Sequence, residues 1–299
     1  MGWFSFLMGH LVRPYLPRLF TGSRLRGLNF EGEPSRYAKG RTRFLDGDSH
    51  AYKLHLAQLA LETNAAAQGA PVDRLRRIYD VIYIDEVQDL NGYDLDVLLA
   101  LIGSPIELHL VGDVRQAILK TNSKDPKNKQ YKGVRIKDWF DKQARAGNLV
   151  IEHQNTTWRC NQAIAEFADS IFDSSWGFPT TESLNIATTN HDGIFLVTEA
   201  DVLDYFQAFS PLCLRYNKAA ARDVDLPFVN IGVAKGMDVE RVLLWPTKDM
   251  ARFVTHGKAL KVSPACYLYV AVTRARASVA IVVPRASDCG MPVWTSHHG

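Results

Sequence analysis

The sequence predicts an α/β protein of two domains built on parallel sheets, and three observations predict it. Short apolar runs of strand length alternate with longer stretches at helical spacing. The runs at residues 81–84 and 106–111 each end in an acidic tip, Asp85-Glu86 and Gly112-Asp113. The chain has 299 residues, enough for two cores.

The run Val81-Ile82-Tyr83-Ile84 is rich in β-branched and aromatic residues and breaks straight into Asp85-Glu86-Val87-Gln88-Asp89. Such a run reads as a buried parallel strand. Ligand groups in doubly wound sheets sit just past its carboxyl end. Two adjacent carboxylates there suit metal-nucleotide hydrolysis, one holding Mg²⁺ through its water shell and one taking a proton from the attacking water. Taken alone, the same residues also fit an acidic solvent loop.

Upstream, residues 1–50 are punctuated by prolines and glycines. Arg13, Arg18, Arg24, Arg26, Arg36, Arg41 and Arg43 are interleaved with Tyr15, Phe20, Phe30, Tyr37 and Phe44. Arginine among aromatics suits single-stranded nucleic acid, and equally a solvated basic face over core aromatics. Leucine and alanine recur at helical spacing over residues 49–67, and a short helix is expected over 72–78.

Beyond the acidic tip, a helix is expected over 93–102 and a strand over 106–111. Residues 121–132 are polar and lysine-rich, an expected mobile loop. A helix end follows at 138–143, and a first strand of the second domain at 148–152. The second domain continues with a helix at 161–172, strand 194–198, helix 202–209, and strands 212–215, 229–233 and 241–245. Helix 264–273 and strand 279–283 close it, and the last fifteen residues are expected to fray.

Composition excludes several classes. Hydrophobic content of 46% with 22% charged residues is that of a globular chain, and a net charge of +3 permits a polyanionic partner without demanding one. Cys160, Cys213, Cys266 and Cys289 are far apart with no CxxC pair, which points to a reduced, cytoplasmic chain. No apolar run is long enough to span a bilayer, and the N-terminal stretch lacks the marks of a signal peptide. No membrane partner is expected.

Four later segments add chemistry. In Val111-Gly112-Asp113-Val114-Arg115-Gln116, Gln116 can hydrogen-bond a terminal phosphate oxygen. In Thr157-Trp158-Arg159-Cys160, Arg159 can reach a phosphate across a domain cleft, or form an interdomain salt bridge. In Val233-Ala234-Lys235-Gly236-Met237-Asp238, Gly236 permits close backbone approach and Asp238 can bind a ribose hydroxyl, although an ordinary turn reads the same way. In Val272-Thr273-Arg274-Ala275-Arg276, only one of two arginines can face a given ligand.

Taken in order, IDEVQDL, VGDVRQAI, TTWRC, VAKGMDVERVLL and YVAVTRARASVAIV resemble motifs II to VI of superfamily 1 DNA helicases of the UvrD/Rep type. The resemblance runs from about residue 79 to 283. It implies two RecA-like domains: a partial first domain at 1–145 carrying motifs II and III, and a second at 146–299 carrying motifs IV, V and VI. It implies ATP and Mg²⁺ as cofactors, with Asp85 binding the metal and Glu86 as catalytic base. Gln116 would couple the γ-phosphate to the nucleic-acid track, Arg159 and Arg274 would contact that phosphate, and Gly236 and Asp238 would lie near the sugar. Lys129, Tyr131 and Lys132 would contact nucleic acid; a merely solvated loop is the alternative. The implied activity is 3′-to-5′ translocation on single-stranded DNA or DNA junctions, with other DNA-processing proteins as further partners.

The chain departs from that family in places. Ala117-Ile118-Leu119 replaces Ser-Ile-Tyr, Thr157-Trp158-Arg159-Cys160 replaces Asn-Tyr-Arg-Ser, and Asp238 stands where Glu is usual. About seventy residues separate Arg159 from Lys235, too few for the usual inserted subdomain. No GxxxxGK[ST] is present, so no backbone nest for the β- and γ-phosphates is encoded. A first domain lacking that loop is incomplete, and the expectation is a fragment of a longer helicase with feeble turnover. The alternatives are a catalytically inactive relative that binds nucleic acid or protein, and an unrelated Mg²⁺-dependent phosphohydrolase.

Overall fold

The computed structural model describes residues 1–285 and 289–296. The chain divides into two compact units, Met1–Ile151 and Glu152–Gly299. Each is α/β with parallel strands, the class the sequence predicts.

In the first unit, strands β1 (Gly27–Asn29) and β2 (His50–Tyr52) pair in parallel. Helices α1 (Leu56–Ala66) and α2 (Ala70–Arg76) lead into strand β3 (Val81–Ile84). Helix α3 (Asp94–Ile102), strand β4 (Glu107–Leu110) and helix α4 (Ile136–Arg145) follow. Leu56, Leu59, Ala60 and Thr63 recur at i, i+3, i+4 and i+7 on α1, and all four are fully buried. Leu56, Leu59 and Ala60 share one cluster with Leu7, Leu11 and Leu16, so these early residues are core. Fully burying each such leucine contributes about 2 kcal/mol.

β3 and β4 are parallel neighbours, register Ile82↔Leu108 and Ile84↔Leu110. Ile82, Ile84 and Leu108 face the core, whereas Tyr83 is 71% and Val111 54% exposed. Tyr83 stacks on His109 at 4.8 Å on that open face. A strand buried on both faces was expected. With only two strands paired here and the core on one side, Tyr83 in the middle of β3 turns to solvent.

The second unit holds a six-stranded parallel sheet whose strands lie, edge to edge, in the order Val293–Trp294, Gly193–Thr198, Ala275–Val283, Val239–Trp245, Leu212–Arg215 and Val229–Asn230. Its strands are β7 (Gly193–Thr198), β8 (Leu212–Arg215), β9 (Val229–Asn230), β10 (Val239–Trp245), β11 (Ala275–Val283) and β12 (Val293–Trp294). Central β11 is buried along nearly its whole length, as a parallel strand covered on both faces should be. Helices α5 (Gln162–Ser170), α6 (Val202–Phe209), α7 (Ile231–Ala234), α8 (Lys248–His256) and α9 (Val262–Val272) connect the strands. A small parallel pair, β5 (Thr156–Thr157) and β6 (Glu182–Ser183), precedes them.

Three sequence expectations are corrected. Residues 148–152 form no strand, and the expected strand at 229–233 turns helical after Asn230. The tail expected to fray includes β12, which pairs with β7 through Val293↔Leu196. Residues 286–288 and 297–299 of that tail lie outside the described residues.

Candidate functional site

The parallel register of β3 and β4 opens both carboxyl ends on the same edge. Val111 N donates to Ile84 O at 2.8 Å and Val87 N to Val111 O at 3.1 Å, so the chain segments leaving the two strands stay side by side. This sets the segment Asp85–Gln88 alongside Val111 and Gly112, from which the chain enters the turn Val114–Gln116.

Glu86 has left-handed backbone, φ 55° and ψ 36°. For a non-glycine residue that costs on the order of 1 kcal/mol or more, a form of local strain that concentrates at functional sites. Asp85 Oδ1 accepts the Glu86 amide at 2.7 Å. Gln88, only 3% exposed, donates its side-chain Nε2 to the Glu86 carboxylate, while its Oε1 is buried without a partner. Gly112 makes this possible: a Cβ there would lie 2.2 Å from Gln88 Oε1 and 3.2 Å from Val87 N.

On the β4 side, Asp113 caps the turn. Its Oδ1 accepts from Arg115 N at 3.0 Å and Arg115 Nε at 3.1 Å, and its Oδ2 accepts from Gln116 Nε2 at 3.3 Å. Asp85 and Glu86 are exposed, and Gln116 is half-buried. The unit therefore gathers three of the expected residues, Asp85, Glu86 and Gln116, at one corner.

The lysine-rich segment is held rather than loose. Thr121 N donates to Asp89 O at 3.0 Å, and Asn122 N to Asn91 Oδ1 at 3.1 Å. Buried Asp125 accepts from the Tyr93 amide at 3.0 Å, and Asn128 Nδ2 donates to Gly92 O at 2.9 Å. Asp94, 2% exposed, accepts from Trp3 Nε1 at 2.6 Å and from the Thr121 hydroxyl; burial pushes its carboxyl up to about 6. Lys132 Nζ donates to the carbonyls of Ser123 and Asp125 at 3.1 and 2.8 Å. Tyr131 packs beside buried Ile136 and Trp139, and Lys129 is exposed. The expected mobile loop is corrected, because these hydrogen bonds tie it to residues 89–94.

In the second unit, Arg159 sits between β5 and α5, half-buried, with no hydrogen bond or ion pair to its guanidinium among the described residues. Arg274, expected at a phosphate, is 1% exposed. It donates to Val270 O at 3.0 Å, Met237 O at 3.2 Å and Thr273 Oγ1 at 3.2 Å. Arg276 is the exposed member of the pair and faces Asp238 at 3.7 Å. Gly236 has φ +87°, and a Cβ there would meet nothing within 4 Å, so its conformation, not a close neighbour, calls for glycine.

No group of three or more His, Cys, Asp or Glu among the described residues forms a metal cage. Mg²⁺ asks for less: one or two carboxylates plus substrate phosphates and water. Asp85, exposed at the carboxyl end of β3, is one carboxylate of that kind. The sequence encodes no phosphate nest to go with it, so the corner fits the metal half of a metal-nucleotide complex. Two concavities of about 380 and 370 Å³ lie elsewhere, at Phe209, Leu212 and Arg241 and at Asn64, Val72 and Ala100.

The comparison with known families bears on this corner. Residues 37–132 match the UvrD/REP helicase N-terminal domain. That segment contains Asp85, Glu86 and Gln116, and the resemblance read from the motifs holds there. No curated protein matches the chain. Among solved structures, the chain is similar to a PRRSV helicase, with 21% identity and TM-score 0.41 over 70% of this chain and 36% of that one. A second is the arterivirus nonstructural protein 10 helicase in complex with DNA, with 19% identity, TM-score 0.42, and coverage of 68% and 39%. A third is the arterivirus nonstructural protein 10 helicase, with 16% identity, TM-score 0.37, and coverage of 72% and 50%. The chain thus spans half or less of each, and the likeness assigns no residue.

Sequence reasoning missed two residues that shape this corner, Gln88 and Gly112. Both were quoted within their motifs. The available signal was a glutamine two residues from the acid pair and a glycine where a second strand ends.

Proposed function

We propose that the chain is part of an ATP-dependent DNA helicase, a 3′-to-5′ motor on single-stranded DNA. The observation that carries this is that Asp85 and Glu86 leave β3 at the same edge at which β4 runs into the Asp113–Gln116 turn, inside a segment matching a helicase domain. Bound there, Mg²⁺ would supply charge neutralisation at a terminal phosphate. Asp85 would hold it through its hydration shell. Glu86, kept in place by Gln88, is positioned to take a proton from water. Gln116, oriented by Asp113, is the group that would hydrogen-bond the terminal phosphate. Arg159 and Arg274 are proposed as the cations for that phosphate, and Gly236 and Asp238 as neighbours of the sugar. Arg274 must first leave its backbone acceptors. DNA junctions and other DNA-processing proteins are proposed as partners. A reducing, cytoplasmic setting agrees with four free cysteines. Among the described residues no helix is long and apolar enough to cross a membrane.

Because the phosphate nest is missing from the sequence, ATP turnover by these 299 residues is expected to be slow. Steady-state ATP hydrolysis with and without single-stranded DNA, in wild type and Glu86→Gln, tests the proposal. Slow, DNA-dependent turnover lost in Glu86→Gln supports it. Robust turnover abolished by the same substitution would overturn the expectation of weakness. A wild type that binds DNA and releases no phosphate points to the second reading, a non-catalytic nucleic-acid- or protein-binding relative. The burial of Arg274 favours that reading.

A further inference from the structure

We propose that Phe30, Phe4, Lys53 and Lys124 form a binding site for single-stranded nucleic acid on the first unit. The inference deepens the nucleic-acid half of the proposed function and is independent of hydrolysis. Parallel pairing of β1 with β2 sets Asn29 opposite Tyr52, so Phe30 and Lys53 leave the two strands side by side at their carboxyl ends. The Phe30 ring is 65% exposed and meets Phe4 edge-on, centroids 6.3 Å apart at 83°. Lys53 Nζ lies 5.2 Å from the Phe4 centroid. Asn122 Nδ2 donates to Leu54 O at 2.6 Å, bringing the lysine-rich segment to the same place. Lys124 then pairs with Glu33, three residues after Phe30, and both side chains are largely exposed.

Four stretches of the chain thus gather an exposed aromatic ring, its partner ring and two ammonium groups in one neighbourhood. An open ring offers a stacking surface to any base, and the lysines neutralise adjacent phosphates. Recognition of this kind tolerates any sequence. Glu33 is the opposing charge: it occupies Lys124 and repels phosphate. The segment carrying Lys124 starts at the Thr121–Asp89 hydrogen bond, so strand binding bears on the acidic corner through one short tether.

The test is fluorescence anisotropy of a fluorescein-labelled oligothymidylate against the full chain, without nucleotide, over a salt series. Phe30→Ala is expected to weaken binding roughly tenfold with the salt slope unchanged, since a stacked base is worth about 1–3 kcal/mol. Lys53→Ala and Lys124→Ala should each make the slope of log K against log salt shallower by about 0.7. Glu33→Gln should tighten binding severalfold, which a purely structural role for that ion pair would not produce. Circular dichroism confirms that each variant is folded. Wild-type affinity and slope retained by Phe30→Ala and Lys124→Ala would overturn the site while leaving nucleic-acid binding elsewhere on the chain. A wild type that does not bind the oligonucleotide would overturn both.

Discussion

Gln88 donates its buried side-chain amide to the carboxylate of Glu86, two residues away, and so fixes the acid in the tight turn that follows β3. Gly112 on the neighbouring segment leaves the room for it.

Gly112→Ala should therefore act on Glu86 without touching it. The added methyl would fall 2.2 Å from Gln88 Oε1, and Gln88 has to move. Overpacking of this kind costs about 1–3 kcal/mol. Denaturant unfolding should show that loss, and unchanged stability would mean the corner is looser than described.

Asp94 makes the first unit sensitive to pH in an unusual direction. Burial raises its folded carboxyl to about 6, well above the usual carboxylate value. The folded state then binds the proton more tightly than the unfolded chain. The stabilisation is complete below about pH 4 and is lost as pH rises through about 6, on the order of 3 kcal/mol. Stability measured from pH 4 to 7 should fall more steeply in wild type than in Asp94→Asn. Parallel curves would contradict this.

His191 does the opposite in the second unit. Its ring is stacked between Phe195 at 3.8 Å and Phe209 at 4.2 Å and bonded to the Tyr205 hydroxyl at 3.0 Å. Burial, with Arg241 nearby, lowers its pKa to about 4. Here the unfolded chain binds the proton more tightly. Stability is complete above about pH 6.5 and is lost as pH falls toward 4. His191→Phe should flatten that acid limb, read by thermal melts across the window; an unchanged limb would refute it.

The two arginines after α9 should separate cleanly. Arg274→Ala removes a buried cation that donates to Val270 O, Met237 O and Thr273 Oγ1 and should cost about 3 kcal/mol or more. Arg276→Ala, on the surface, should stay within about 0.5 kcal/mol. Equal effects in unfolding measurements would show that Arg274 is not held as described.

Legibility in the sequence followed the physics of each element. β3 and α6 lie at the bounds that apolar run and helical spacing indicate, and β8 does as well. The corner itself was readable, because acids at the ends of adjacent parallel strands have only one edge to occupy. The open face of β3 was not, since an apolar run reports hydrophobicity and not how many neighbours a sheet supplies. The fate of residues 121–132 was hidden too. Counting lysines shows charge, whereas Asp94, Asn91, Asp125 and Asn128, the groups that tie the segment down, become visible only once folding brings them together. Arg274 and Arg276 look alike in the string, and only packing shows which one is buried.

The most direct measurement is Mg²⁺-dependent binding of a fluorescent ATP analogue to the full chain, comparing wild type with Asp85→Asn and Glu86→Gln. The account predicts weak binding that requires Mg²⁺ and drops at least about tenfold in Asp85→Asn, a loss of about 1.4 kcal/mol. Binding indifferent to both Mg²⁺ and Asp85→Asn would contradict it.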